Sequence, residues 1–315
     1  MYYPKMTRIE FDHIVLRVPT PFFENLPEWL TTNFTIIEGG KHNGQASRNK
    51  LIIFSDGTYL ELFNWYDTPP SLDDETKPMR VWGPKQDGLI DFALTSTTIP
   101  AEECMSAVND TLSKGTDGDA ALGVRYQDPI YVVRKRPDGI DTETSVSRPV
   151  FQDGEKVPNA DLFPGGRLDV PFLCHDVTER QLRVPSSDKS KTTHPCGATG
   201  IAACEILVPE ERFSEYTTLY SNILGSKVEI SGDEISGRCA ALDISPPEGL
   251  ARGKVIVRAA RSEYDLERMK TRGIGFSDLI IETSKDIDGG KRSFGSSGIE
   301  STLWLETSVL KKARL

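Results

Sequence analysis

Three stretches of this chain repeat one order of elements: a strand that runs into a proline and then into a helix. They are FDHIVLRVP from residue 11, IDFALTSTTIP from residue 90 and AACEILVPE from residue 202. Recurrence of one supersecondary unit points to modules that cannot each bury their own apolar face and therefore share a sheet or barrel. A chain of 315 residues has room for two ordinary domains built this way.

The first unit covers residues 9–66. Residues 9–18 alternate as a strand, with Phe11, His13, Val15 and Arg17 on one face, and Pro19 and Pro21 end it. Residues 22–33 read as a short helix with an apolar stripe of Phe22, Phe23, Leu26, Trp29 and Leu30. Residues 34–38 read as a strand that stops at Gly39-Gly40, followed by strands at 49–55 and 58–65 around an Asp56-Gly57 turn. The order is β-α-β-β-β.

A Pro- and Asp-rich linker at 67–85 leads to a second unit of the same order. It has a strand at 88–96, a helix at 100–114, strand-like stretches at 123–127, 130–136, 142–151 and 168–177, and an insertion around 152–167. A polar stretch at 184–193 reads as a linker, and a third unit opens at residue 200, its helix stopping at Gly225. The expected class is α+β, built from repeated βαβββ modules. The expected division is 9–182 for the paired modules, 183–198 for a linker and 199–310 for a third module with a C-terminal extension.

Hydrophobic residues at 37% and charged residues at 27% indicate a folded globular chain. The net charge of −10 argues against a nucleic-acid partner, because phosphates would be repelled. No run of about 18 apolar residues is present, and the start has no basic segment followed by an apolar one, so neither a membrane span nor a signal peptide is expected. Five cysteines without a C-x-x-C or framework spacing read as free thiols in a reducing, cytoplasmic setting.

Glu61 is the most unusual polar residue, lying in YLEL between apolar neighbours. Alternation puts Tyr59, Glu61 and Phe63 on one face, where a buried carboxylate needs a cation, a hydrogen-bond donor or a metal. An exposed edge position is the plainer alternative. His13 is central to the opening strand, and His175 falls in the last strand of the second unit, the strand that corresponds to the one holding Glu61. Arg17 shares the His13 face and is a candidate for binding an anionic group, or for pairing with a surface acid. His194 and Cys196 in HPCG read as a structural joint, with no activating third group for a nucleophile.

DHIVLRVP followed by IIEGGKHNGQASRNKLIIFSDGTYLEL resembles the glyoxalase-like domain of the vicinal oxygen chelate superfamily, as do the later blocks PFLCHDVTERQLRVP and HPCGATGI. The resemblance covers roughly residues 9–208. It implies modules curled into a cup-like mixed sheet around one divalent metal (Zn, Fe, Mn or Ni), with His13, Glu61 and His175 as ligands. It implies a fourth ligand at Phe92, which has no donor atom. It places His42, Asn49, Tyr59 and Trp65 near the site, with His42 or Asn49 orienting substrate or moving protons. The implied activity is isomerase or lyase chemistry on a small oxygenated substrate through an enolate, with Glu61 and His42 as catalytic groups. Non-haem Fe(II) dioxygenase chemistry and non-catalytic small-molecule binding are the alternatives. The expected partner is a small-molecule substrate, with homodimerisation left open.

Overall fold

The computed structural model of the chain describes residues 8–42, 47–65, 85–114, 123–151, 170–232, 237–249, 252–294 and 302–308. The first module consists of β1 (Glu10–Arg17), α1 (Thr20–Glu24), α2 (Glu28–Thr31), β2 (Ile37–His42), β3 (Ser47–Ile53) and β4 (Tyr59–Trp65). The single helix expected over 22–33 is split in two, because Pro27 takes the N-cap of α2 and cannot continue α1. The expected stop at Gly39-Gly40 is also absent. β2 runs through both glycines with an irregularity between Glu38 and Gly40, where Gly40 has φ of 139°. His42 therefore ends a strand instead of lying in a loop.

The second module consists of β5 (Gly88–Thr95), α3 (Ala101–Lys114), β6 (Val124–Tyr126), β7 (Ile130–Lys135), β8 (Asp141–Ser147), β9 (Pro149–Phe151) and β10 (Phe172–Asp176). α3 buries Ala101, Cys104, Val108 and Leu112, a helical face, and carries Glu102 and Glu103 in its first turn and Lys114 in its last. β6 and β9 pair only with each other, as a separate ribbon.

The other eight strands close into a barrel in the order β1-β4-β3-β2-β7-β8-β10-β5. The expected curled sheet is thus a full closure, with each module supplying half. Within each half the first and last strands are parallel neighbours, β1 with β4 and β5 with β10. The halves meet through the antiparallel pairs β1·β5 and β2·β7.

Two short helices follow, α4 (Arg180–Arg183) and α5 (Lys189–Thr192); Asp188 caps the latter by accepting from Ser190 N. His194 is a joint: its Nδ1 accepts from Thr35 N at 3.1 Å, so its Nε2 carries the proton donated to Ile53 O at 2.9 Å.

The rest is β11 (Ala198–Val208), α6 (Phe213–Leu224), β12 (Val228–Ser231), β13 (Cys239–Ile244), β14 (Gly253–Ala259), α7 (Glu263–Arg272), β15 (Gly275–Thr283), β16 (Lys291–Ser293) and β17 (Thr302–Thr307). Gly225 ends α6 with φ of 61°, and Ser262 with Asp265 forms a capping box on α7. These strands make a second sheet in the order β12-β13-β14-β11-β15-β17-β16.

One apolar core joins barrel and sheet. Ile14, Leu16, Leu60, Leu62 and Phe92 from the outer barrel face pack in the same cluster as Val108 of α3, Tyr220 of α6 and Val257, Leu279 and Leu305 of the second sheet. A separate cluster of Val15, Phe63, Trp65, Ala93, Phe172 and Cys174 fills part of the barrel interior. All five cysteines are free thiols.

Candidate active site in the first barrel

Alternation along β4 sends Leu60 and Leu62 outward to the main core and Tyr59, Glu61 and Phe63 inward. Glu61 is buried, and neighbouring inward side chains meet its carboxylate. Asn49, on the adjacent strand β3, donates from Nδ2 to Glu61 Oε1 at 2.7 Å. His13 Nε2 lies 3.4 Å from Glu61 Oε2, and His42 Nε2 lies 3.9 Å from Glu61 Oε1. A side chain at Gly39 would land on Asn49 Oδ1 and on Arg134 Nη1, so the glycine keeps space for this arrangement. Burial lowers the pKa of His42, with the nearby Glu61 opposing it, so the imidazole is neutral at pH 7.

His13 is held from the other side. β1 is irregular against β5 between Phe11 and His13, leaving Asp12 as an extra residue. Both Asp12 and His13 then point into the barrel, and His13 Nδ1 lies 2.7 Å from Asp12 Oδ2. A carboxylate only accepts, so Nδ1 carries the ring proton and Nε2 is the atom turned to Glu61. Tyr59 stacks on the His13 ring with centroids 4.5 Å apart, and Phe172 meets it edge-on at 5.5 Å.

Asp12 is in turn clamped. Arg183 donates to both its oxygens, at 2.9 and 3.1 Å, and Arg180 Nη2 lies 2.7 Å from Oδ1. Burial alone would raise the Asp12 carboxyl, but Arg183 and then Arg180 outweigh it and hold it well below the usual range. Arg183 also donates to Tyr59 Oη at 2.7 Å and to Asp176 Oδ2 at 2.9 Å. Two arginines and two aspartates thus make a network of balanced charge behind His13, with Asp12 and Arg183 buried at its centre. Arg134 is a further buried cation, donating to Arg183 O at 3.2 Å.

The structure does not bring every expected residue here. His175 alternates with Cys174 and Asp176, and it is those two that face inward. Cys174 joins the interior cluster and Asp176 meets Arg183, which leaves His175 on the outer face. The expected convergence of His13, Glu61 and His175 is not formed, because a shift of one residue along a strand reverses the face. Phe92, expected at the place in the second module that His13 holds in the first, also faces outward, packed on Phe11, Tyr220 and Phe276; across the strand pair His13 meets Ala93. Arg17 is engaged by Asp87 at 3.1 Å. Trp65 is buried and packs its ring edge-on with Phe63 at the end of β4.

The metal implied by the resemblance meets a divided answer. Two ligand atoms each about 2.1 Å from one ion in tetrahedral array lie about 3.4 Å apart, and His13 Nε2 and Glu61 Oε2 have that 3.4 Å spacing. The second module does not complete the set. It offers Ala93 and Phe172, and a Cys174 thiol that burial pushes up to about 12. Among the described residues no three His, Cys, Asp or Glu are arranged to hold an ion. The residues present therefore do not make the expected three-ligand centre.

Asp12, Arg134, Arg180 and Arg183 were not identified as site residues from the sequence. Asp12 directly precedes His13, but strict alternation assigns it to the opposite face. The two arginines of α4 carry an Arg-x-x-Arg spacing that would have placed both on one helical face.

The model of the glyoxalase-like domain matches residues 11–224. Among solved structures, a hypothetical protein from Staphylococcus aureus aligns with a TM-score of 0.58 at 12% identity, over 95% of this chain and 99% of that one. A mutant 4-hydroxymandelate synthase from Streptomyces coelicolor aligns with a TM-score of 0.47 at 12% identity, over 90% and 73%. Methylmalonyl-CoA epimerase from Streptomyces coelicolor aligns with a TM-score of 0.28 at 18% identity, over 36% and 99%. No curated protein matches the chain. Among the described residues no helix is long and apolar enough to cross a membrane. Matched from the bulged strand that carries Asp12 and His13 through α6, this chain belongs to the glyoxalase-like domain family of the vicinal oxygen chelate superfamily.

Proposed function

We propose that this chain is a proton-transfer enzyme of isomerase or lyase type, acting on a small oxygenated organic molecule with Glu61 as the base. The observation that carries the reading is the setting of Glu61. One oxygen is held by Asn49 at 2.7 Å, and the other faces His13 Nε2 across 3.4 Å. With Nδ1 turned to Asp12, His13 presents Nε2 to a carboxylate oxygen of Glu61. That edge favours a shared proton or an electropositive substrate atom. A C–H beside a carbonyl supplies such a proton, and Glu61 is then the acceptor with His13 as its exchange partner.

Asn49 keeps the carboxylate in one orientation, and Asp12 keeps His13 in one tautomer. Arg134, which with Asn49 borders Gly39, is a buried cation suited to stabilise an enolate oxygen. Apolar neighbours Val15, Phe63 and Phe172 keep the surroundings dry, which strengthens each of these interactions. No step is assigned to a metal, since the donor set is incomplete. The dioxygenase reading takes His13, Glu61 and His175 as the ligands of one ion, and the outward face of His175 breaks that set. Non-catalytic binding is the second reading, favoured by the lack of an acid or base at Ala93 and Phe172.

The test is α-proton exchange in D2O, followed by NMR on a panel of 2-hydroxy ketones and 2-oxo acids. Wild type should wash deuterium into at least one of them, and Glu61→Gln should slow this by about 100-fold with the fold unchanged by circular dichroism. Exchange by Glu61→Gln at the wild-type rate removes Glu61 as the base.

A further inference from the structure

His175 is buried, faces away from Glu61, and has no part in the site above. Its Nε2 is fully enclosed and has no hydrogen-bond partner. Ser145, its cross-strand partner on β8, is also buried, and its Oγ likewise lacks a partner. Directly opposed residues of an antiparallel pair have their side chains side by side on one face. Nε of Arg180 is a third enclosed polar atom without a partner.

All three residues line one cavity of about 440 Å³ on the outside of the barrel. Its wall also includes Pro100, Ala101 and Glu102, at the N-terminus of the 14-residue helix α3. Native proteins rarely leave buried polar atoms unsatisfied, and three around one cavity signal a missing partner. The three share a chemistry: a serine hydroxyl, an imidazole N–H and a guanidinium N–H can all donate. The backbone N–H groups of the first turn of α3 add donors with the positive end of the helix dipole behind them.

We propose that this cavity is a second ligand site, in which Ser145, His175, Arg180 and the first turn of α3 bind the oxyanion group of a small organic molecule. The oxyanion is a carboxylate or a phosphate, which present the same acceptor oxygens. The two acids of the cavity do not oppose it equally. Asp176 is already neutralised by Arg180 and Arg183, and Glu102 is exposed at the rim. Tyr131 and Val177, 61% and 47% exposed, give the rim an apolar surface for the organic part of the ligand. Burial lowers the His175 pKa, so the free imidazole is neutral and keeps one N–H to donate. The cavity lies on the other face of the barrel wall from Glu61 and shares with that site Arg180, whose Nη2 also holds Asp12.

The chain has only four histidines, so the imidazole signals of the full-length protein labelled with 15N-histidine are few. The His175 signal is assigned by its loss in His175→Gln. Sodium phosphate and sodium acetate are titrated separately into wild type, Ser145→Ala and Glu61→Gln. The expected result is a saturable shift of the His175 signal with one probe or both, the His42 signal staying in place. Ser145→Ala should weaken it by about tenfold, and Glu61→Gln should leave it unchanged. A response to phosphate alone identifies a phosphoryl ligand, and one to acetate alone a carboxylate. No saturable shift with either probe up to tens of millimolar, or a response in Ser145→Ala equal to wild type, overturns the proposal. The wild-type titration decides even where a variant fails to fold.

Discussion

Asp12 and His13 are consecutive in β1 and yet share a face, with Asp12 Oδ2 2.7 Å from His13 Nδ1. A regular strand would send them to opposite sides of the barrel wall. The bulge puts the acid behind the imidazole, and Arg183 and Arg180 hold the acid in turn. The orientation of His13 toward Glu61 is therefore set by a chain of charged groups that begins in α4.

Arg183→Met tests that chain. The substitution leaves the buried Asp12 and the partly buried Asp176 with only Arg180 to answer both, and breaking a buried pair such as Arg183–Asp12 costs about 3–5 kcal/mol. Urea unfolding should report a loss of that size. The Asp12 pKa is lowered in the folded state, so its contribution is present above the unfolded value near 3.8 and disappears as pH falls through the lower folded value. Acid unfolding followed by circular dichroism should then begin at a higher pH in the variant than in wild type. Coincident acid transitions would mean that Arg183 does not hold Asp12.

Gly39→Ala should damage the site without damaging the fold. The added methyl meets Asn49 Oδ1 and Arg134 Nη1, and the glycine itself needs no left-handed backbone. Asn49 must shift, and its hydrogen bond to Glu61 Oε1 is lost. The exchange assay described for Glu61 should fall by about tenfold or more, with only a small change in melting temperature. Full activity in Gly39→Ala would show that Asn49 does not orient the base.

Asp56→Asn should stabilise the protein at alkaline pH. Gly200 packs so closely that a side chain there would land on the Asp56 carboxylate, and burial pushes this acid up to about 7 against the hydrogen bonds from Thr58. Between the unfolded value of 3.8 and about 7 the folded state binds more protons, so stability falls as pH rises through that window. Asparagine keeps an acceptor for Thr58 and removes the charge. The gain should be of the order of 1–4 kcal/mol at pH 8 and shrink toward zero near pH 4. A variant less stable than wild type at pH 8 would refute this.

The cysteines should all titrate as thiols. Cys104, Cys174, Cys196, Cys204 and Cys239 are unpaired in the structure, and burial pushes Cys104 and Cys174 up to about 12. Under denaturing, non-reducing conditions a thiol reagent should count five. In the folded protein Cys174 should be inert, because its thiolate is disfavoured and enclosed. A denatured count of three or fewer would indicate disulfides.

Much of the architecture is legible in local patterns. The proline after each opening strand, the helical stripe of Cys104, Val108 and Leu112, and the stop at Gly225 are short-range signals, and the elements lie close to where those signals put them. The alternation around Glu61 is also local, and it places Tyr59, Glu61 and Phe63 on one face. Pro27 and Gly39-Gly40 were misleading for the opposite reason. Proline split a helix the apolar stripe had suggested, and the glycines were absorbed into a strand because β3 pairs across them.

By itself, then, the amino-acid order determines the module, its repetition and the two residues, His13 and Glu61, on which the proposed site rests. Tertiary structure alone decided which faces of β1, β5 and β10 look into the barrel. Alternation is a relative rule: it says which residues share a face and leaves open which face is inside. The bulge at Asp12 arises from pairing with a strand some eighty residues away, and it brings Asp12 behind His13. The one-residue phase of β10, set by its pairing with β8 and β5, turns Cys174 inward and sends His175 to the outer cavity.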